Sequence, residues 1–446
     1  MICASKRISV ILLFALLANP LPVFSDAVPS ETEELRKEIA ALKDRLVALE
    51  ARLEKSETRT PVIKAQNVEP DSGISAAVTS FAREIEVHGF VDTSYIFNTN
   101  TPVPPNTRTN RLRVFDTEAN GFMLNMAQIN LEKLVSKESP VGFRIDLDFG
   151  QDAKLIHSNG LGTADGGLGT SNDAFDLQQA YAQVMLPFSF PLADTMTFKI
   201  GKFATLHGAE VIESMNNWNF SRSYMFGYAI PFTHTGIRIY DKPFANVPVE
   251  AYIGVVNGWD QTVDLNKAKT VEAQVTVTPN DKISFSVGGM FGPERADSDK
   301  DFRNLIDFVA TYKATDKLTF KVNYDYGWEK NAASVLGGYD IGKDAAWDGI
   351  AGYAKYDIFD WWSIAGRGEY FHDRDGVRTG YLTSSTMPIS DLSLFEFTLT
   401  NEFKIYKNLI TRFEYRYDKA SGQAFTKDKV TSNYQNTIAA EVIAKF

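Results

Sequence analysis

LTFKVNYDYGWE, residues 318–329, alternates from end to end. Leu318, Phe320, Val322, Tyr324, Tyr326 and Trp328 fall on one face, and Thr319, Lys321, Asn323, Asp325 and Glu329 on the other. A period of two is the mark of a β-strand with unlike faces. Here one face is oily from end to end and the other is ionic, with charges of both signs. GFRIDLDFG (142–150), KTVEAQVTV (269–277) and LITRFEYRYD (409–418) repeat the pattern. A soluble sandwich also alternates. Against it stand the aromatics that end the oily faces (Phe149, Trp328, Trp362, Tyr370, Tyr417) and the charge density of the opposite faces. A lone charge facing lipid costs ~2–4 kcal/mol at mid-bilayer, and the best-formed oily faces carry none.

Working outward, about sixteen such segments begin near residues 85, 121, 142, 174, 195, 232, 248, 269, 283, 302, 318, 345, 361, 391, 409 and 433. The pattern blurs around Gln179 and near Glu396. Short turns at 277–282, 313–317, 357–361 and 405–408 alternate with long polar loops at 98–120, 151–173, 205–231, 258–268, 330–344, 374–390 and 419–432. The expected fold is all-β: an antiparallel transmembrane barrel of about 16 strands over residues 85–446. Its last strand ends NTIAAEVIAKF, with Ile438, Ala440, Val442, Ala444 and Phe446 facing lipid. That strand is expected to close against the first.

The first 84 residues read differently. Residues 1–25 have the parts of a secretory signal: Lys6 and Arg7, an apolar run from Ile8 to Ala18, and small residues before a cut after Ser25, with Ala27 as the alternative. The apolar run is too short for an anchor helix, the rival reading. Removing Lys6 and Arg7 takes the net charge from −10 to −12, and the only cysteine, Cys3, leaves with them. Such a charge does not suit a nucleic-acid partner. Residues 30–55 carry a heptad seam, with Ile39, Leu46 and Leu53 at a and Leu35, Leu42 and Leu49 at d. Glu38 with Lys43, and Arg45 with Glu50, would attract across a parallel in-register coiled coil. A solitary spacer or an antiparallel pair stays open, as does the choice between two and three chains. Residues 56–84 form a linker, and the coil would lie in the periplasm.

RLRVFDTEANGFMLNMAQINLEK (111–133), VGFRIDLDFGQDAKLIH (141–157), DLQQAYAQV (176–184), IGKFATLHGAEVIES (200–214), NNWNFSRSYMFGYAIPFTHTGIR (216–238) and GVVNGWDQTVDLNKAKT (254–270) carry a more specific signal. Over these stretches the chain resembles the OmpL-like β-barrel porin family of bacterial outer membranes. The resemblance thins toward the C-terminus. It implies an outer-membrane channel and names no solute-binding residue. Resemblance to barrels of this class also implies that Phe446 is an assembly signal read by the barrel assembly machinery.

Loop 205–231 is too aromatic to hang in water. It is expected to fold inward as a pore constriction, with packing over the mouth or against a neighbouring subunit as the alternative. Its ionisable residues are His207, Glu210, Glu213 and Arg222. Lumen-wall positions that could face them are Arg144, Lys199, Arg238, Lys321, Arg367, Arg412 and Arg416. Opposed charges across a gap set up a transverse field that filters solutes. The five histidines have no metal spacing, Asp146 and Asp148 read as lumen lining, and no nucleophile motif is present, so no enzyme, metal or cofactor is expected.

The expected function is passive diffusion of small hydrophilic solutes or ions through an outer-membrane porin, assembled as a homotrimer. The alternative is a structural barrel tethering the envelope. A coil of about 40 Å and its linker could reach peptidoglycan.

Overall fold

The computed structural model describes residues 83–446 apart from 103–108, 162–173, 187–194, 242–247, 297, 333–342 and 381–390. The signal, coil and most of the linker expected at 1–84 lie outside the described residues. In chain order the first strands are β1 (Glu86–Asn98), β2 (Gly121–Lys133) and β3 (Val141–Phe149), followed by a helix, α1 (Gln151–Ile156). Then come β4 (Phe175–Leu186), β5 (Met196–Ala204), β6 (Thr233–Asp241), β7 (Val249–Val256), β8 (Thr270–Asn280) and β9 (Ile283–Pro293). They are followed by β10 (Phe302–Lys313), β11 (Leu318–Glu329), β12 (Ala345–Phe359), β13 (Trp362–Asp373), β14 (Leu392–Tyr406) and β15 (Leu409–Ala420). A small hairpin, β16 (Phe425–Lys427) and β17 (Val430–Ser432), precedes β18 (Tyr434–Lys445).

Each barrel strand pairs antiparallel with its neighbour in sequence, β15 pairs with β18, and β18 pairs with β1, which closes a 16-stranded cylinder. Closure removes the sheet edges that lipid could not satisfy. Phe320, Val322 and Tyr324 of β11 and Phe413 and Tyr415 of β15 are exposed on the outside, while Asn323, Asp325, Glu414 and Arg416 are buried on the inside. Aromatic rings gather at both ends. Phe291, Tyr326 and Trp328 cluster at the long-loop end. Phe359, Trp361, Trp362 and Phe403 cluster at the short-turn end. These are the girdles expected where a barrel leaves hydrocarbon.

The two blurred stretches have physical causes. Between β3 and β4 the register slips, with Asp146 opposite Gln179 and Leu147 opposite Leu177. This bulge leaves Gln178 and Gln179 both buried, so two successive residues break the alternation. Near Glu396 the strand itself is regular, but its inward residues Leu392 and Leu394 pack into an apolar cluster with Ala420 and Phe425. The inner face there is dry because folded loops fill the long-loop end of the lumen.

At the seam, Phe446 N donates to Gly89 O at 2.9 Å and Gly89 N donates to Phe446 O at 3.2 Å. The Phe446 ring leans over the space that a Gly89 side chain would occupy: an added Cβ would lie 2.4 Å from the ring. The pair is an aromatic covering a glycine across the closing strands. Gly89→Leu should displace the ring and cost about 1–3 kcal/mol, read as a lower temperature for the shift in electrophoretic mobility on heating. An unchanged transition would show that the ring does not stabilise the seam.

Candidate functional site

The segment 205–232, between β5 and β6, turns into the lumen and crosses it. Backbone carried into a cavity needs partners for its N–H and C=O groups. The far wall supplies them from ionic side chains, strand after strand. On β10 and β11, Asp307 accepts from Gly208 N (3.0 Å), Asn323 accepts from Ala209 N (3.0 Å), and Lys321 donates to Ala209 O (3.0 Å). On β13, Glu369 accepts from Tyr224 N (2.8 Å) and Met225 N (2.5 Å), and Arg367 donates to Ser221 O (2.6 Å). On β15, Glu414 accepts from Phe220 N (2.7 Å) and Ser221 N (3.1 Å). Arg412 donates to Ser214 O and Asn217 O (both 2.9 Å), and Arg416 donates to Arg222 O (2.6 Å). On β18, Glu441 accepts from the Ser214 hydroxyl. Gly349 of β12 leaves a notch for Met225, whose Cγ lies 2.7 Å from where a Cβ would sit.

The loop's own charges divide. Glu210 is buried and bonded to Arg367 at 2.6 Å. Burial alone would raise its carboxyl, but Arg367 and the Ser223 N–H outweigh that and hold it below the usual range. His207 is fully enclosed, 4.0 Å from Asp307, and burial pushes its imidazole down to about 3, so it is neutral. Arg222 ties three loops together. It bonds Asp152 of α1 at 3.2 Å, donates to Ile212 O, and lies 4.6 Å over the ring of Phe115 from the first long loop. Phe115 packs in turn on Phe226 and Phe232. Arg113 in that same segment is buried against Asp418 at 2.5 Å.

The wall residues expected to face the loop are therefore split into two sets. Lys321, Arg367, Arg412 and Arg416 touch the loop instead of facing it across a gap, and the last three are buried to within 1%. Arg144, Lys199 and Arg238 stand on strands β3, β5 and β6. Arg144 bonds Glu132 (3.2 Å) and Asp146 (2.9 Å), Lys199 meets the Tyr181 hydroxyl at 3.3 Å, and Arg238 makes a two-pronged pair with Glu272 at 2.7 and 2.9 Å.

On this second side lies a cavity of about 400 Å³. It runs between loop residues Val211, Ile212, Glu213 and Met215 and the β1–β5 wall, from Ala204 and Phe232 at the long-loop end to His88 and Lys445 at the short-turn end. Its wall carries amides that the charge pattern did not single out. Asn130 donates to Gln128 (2.9 Å), Gln128 to Gln178 (2.9 Å), and Gln178 to Glu213 (2.6 Å). The Gln178–Gln179 doublet was the signal available in the sequence, concealed by the bulge. The acidic partners Glu369 and Glu414 were also missed, because alternation shows that a carboxylate faces inward but not what it binds. Among the described residues no group of three or more His, Cys, Asp or Glu is placed to hold a metal.

The family model described as "Putative beta-barrel porin-2, OmpL-like" matches residues 84–446. No curated protein matches the sequence. Among solved structures, the chain is similar to an anion-selective porin from Comamonas acidovorans, with 12% identity and a TM-score of 0.53, over 81% of this chain and 99% of that one. It is also similar to the outer membrane channel DcaP of Acinetobacter baumannii, with 14% identity and a TM-score of 0.50, over 81% of this chain and 97% of that one. At these identities the likeness shows a shared barrel. With the family match spanning the whole cylinder, the chain belongs to the OmpL-like beta-barrel porin-2 family.

Proposed function

We propose that this porin is a passive channel of the bacterial outer membrane. Small hydrophilic solutes would cross it between the inserted loop and the β1–β5 wall. The observation that carries the reading is the one-sided docking of the loop: its backbone is bonded to β10, β11, β13 and β15 and its Ser214 hydroxyl to β18, and the cavity lies opposite. The loop thus narrows the lumen without dividing it evenly, and Glu213 is a loop charge on the open side, with Arg144 on the facing wall. A diffusion path needs a polar lining and weak, replaceable contacts, and this wall supplies both. The short-turn end and both chain ends would face the periplasm, and Phe446 would serve the barrel assembly machinery as its signal. Catalysis has no place in this reading.

In planar bilayers the full-length protein should open in discrete steps. Replacing residues 209–222 by a short glycine linker should raise the unitary conductance at least about twofold, because the wall charges it frees become solvated by lumen water. A silent cylinder, or a conductance unmoved by the deletion, would contradict the path.

The heptad seam at 30–55, which brings chains together, and the porin family in combination support assembly as a homotrimer, and the seam with its linker would give a periplasmic coil able to reach peptidoglycan. Chemical cross-linking in mild detergent should trap trimers of the full chain. Monomers alone, with and without residues 26–60, would rule the assembly out.

A further inference from the structure

The two sides of the lumen differ in kind. Across the loop's docked side, full charges are bonded to backbone groups. Along the cavity, the chain of Asn130, Gln128, Gln178 and Glu213 runs head to tail, each amide N–H₂ donating to the next oxygen. Among the charged residues that line the cavity, Arg144 and Lys445 balance Glu210 and Glu213. A passing ion therefore meets little net charge, whereas a passing hydroxyl meets amide oxygens that accept and amide N–H groups, shared with Asp146 and Asp148 (both 2.8 Å), that it takes over by exchange. Facing this polar strip across the cavity are the apolar loop side chains Val211, Ile212 and Met215. The slot is amphipathic, with the amide strip on the barrel wall and apolar side chains beside Glu213 and Asn216 on the loop. Its volume of about 400 Å³ falls within the usual range of small-molecule sites.

A compact ring with hydroxyls round its edge and C–H groups on its faces matches such a slot on both sides. We propose that the amide strip is a binding subsite for neutral polyhydroxylated solutes, of mono- or disaccharide size, and that the channel discriminates only weakly between cations and anions. This rests on the channel reading above. The subsite would act by transient exchange: solute hydroxyls replace one another along the amides, so that binding is strong enough to guide entry and weak enough to allow exit.

The test is single-channel recording of the full-length protein in a potassium chloride gradient, with maltose then added as the probe. The inference expects a potassium-to-chloride permeability ratio within about twofold of one and a saturable, concentration-dependent block by maltose. Gln128→Leu and Gln178→Leu should each abolish the saturable block. Retained heat-modifiable mobility of the variants would show that the barrel still folds. A ratio beyond tenfold in either direction, or open channels that maltose never blocks saturably, would overturn the subsite while leaving the channel standing. Saturable block that survives both substitutions would likewise overturn it. Absence of any conductance would overturn the channel reading, and the subsite with it.

Discussion

The structure depends on how one stretch of irregular backbone is kept inside a barrel. A loop drawn into a lumen must have its N–H and C=O groups bonded, or each buried group left unpaired costs about 1–3 kcal/mol. Here arginine and lysine donate to loop carbonyls, and glutamate and aspartate accept from loop amides. The wall behaves as a template written in side chains, in the way a neighbouring strand is a template written in backbone. It is also a coupled one. Arg367 bonds Glu396, Glu210 and Ser221 O together, so removing any member strands the others. Breaking a buried pair of this kind costs about 3–5 kcal/mol, which ties the loop's position to the integrity of the wall.

That constraint shapes the rest of the lumen. The arginines of β13 and β15 are bonded to the loop and to carboxylates beside them, and so are withdrawn from solvent. What stays accessible is the opposite wall, where amides and compensated ion pairs predominate. At the long-loop end the first loop and α1 join the same packing through Arg222, Phe115 and Asp152. The barrel interior is thus partly a dry core, with apolar residues of loop and wall packed together as in a soluble domain. Outside, the same strands meet lipid with a continuous apolar band. Two solvents, hydrocarbon and water, are separated by a single layer of residues, and the period of two is what keeps them apart.

That period made the cylinder legible. Each observed barrel strand begins within a residue of its expected start, from Glu86 to Tyr434. Alternation reports only which side a residue faces, however. It placed Arg367, Arg412 and Arg416 in the lumen but could not show that a loop would lie on them. It lost Gln178 and Gln179 at a bulge, since an extra residue shifts every later position to the other face. The helix α1 and the hairpin of β16 and β17 went unseen because both are short and lie inside long polar loops, where no period accumulates. The heptad seam has its own period, 3.5, and lies outside the described residues.

The central claim is that the loop leaves the β1–β5 side accessible and covers the β13–β15 side. Cysteine accessibility measured on the conducting channel tests it most directly. In a Cys3→Ser background, Asn130→Cys lines the cavity and Thr400→Cys sits beneath the loop, bonded in the native chain to Asn219 at 2.7 Å. A charged methanethiosulfonate reagent should reduce the current through Asn130→Cys channels and leave Thr400→Cys channels unaffected. Current lost at residue 400 and preserved at residue 130 would place the path on the other side of the loop and contradict the account.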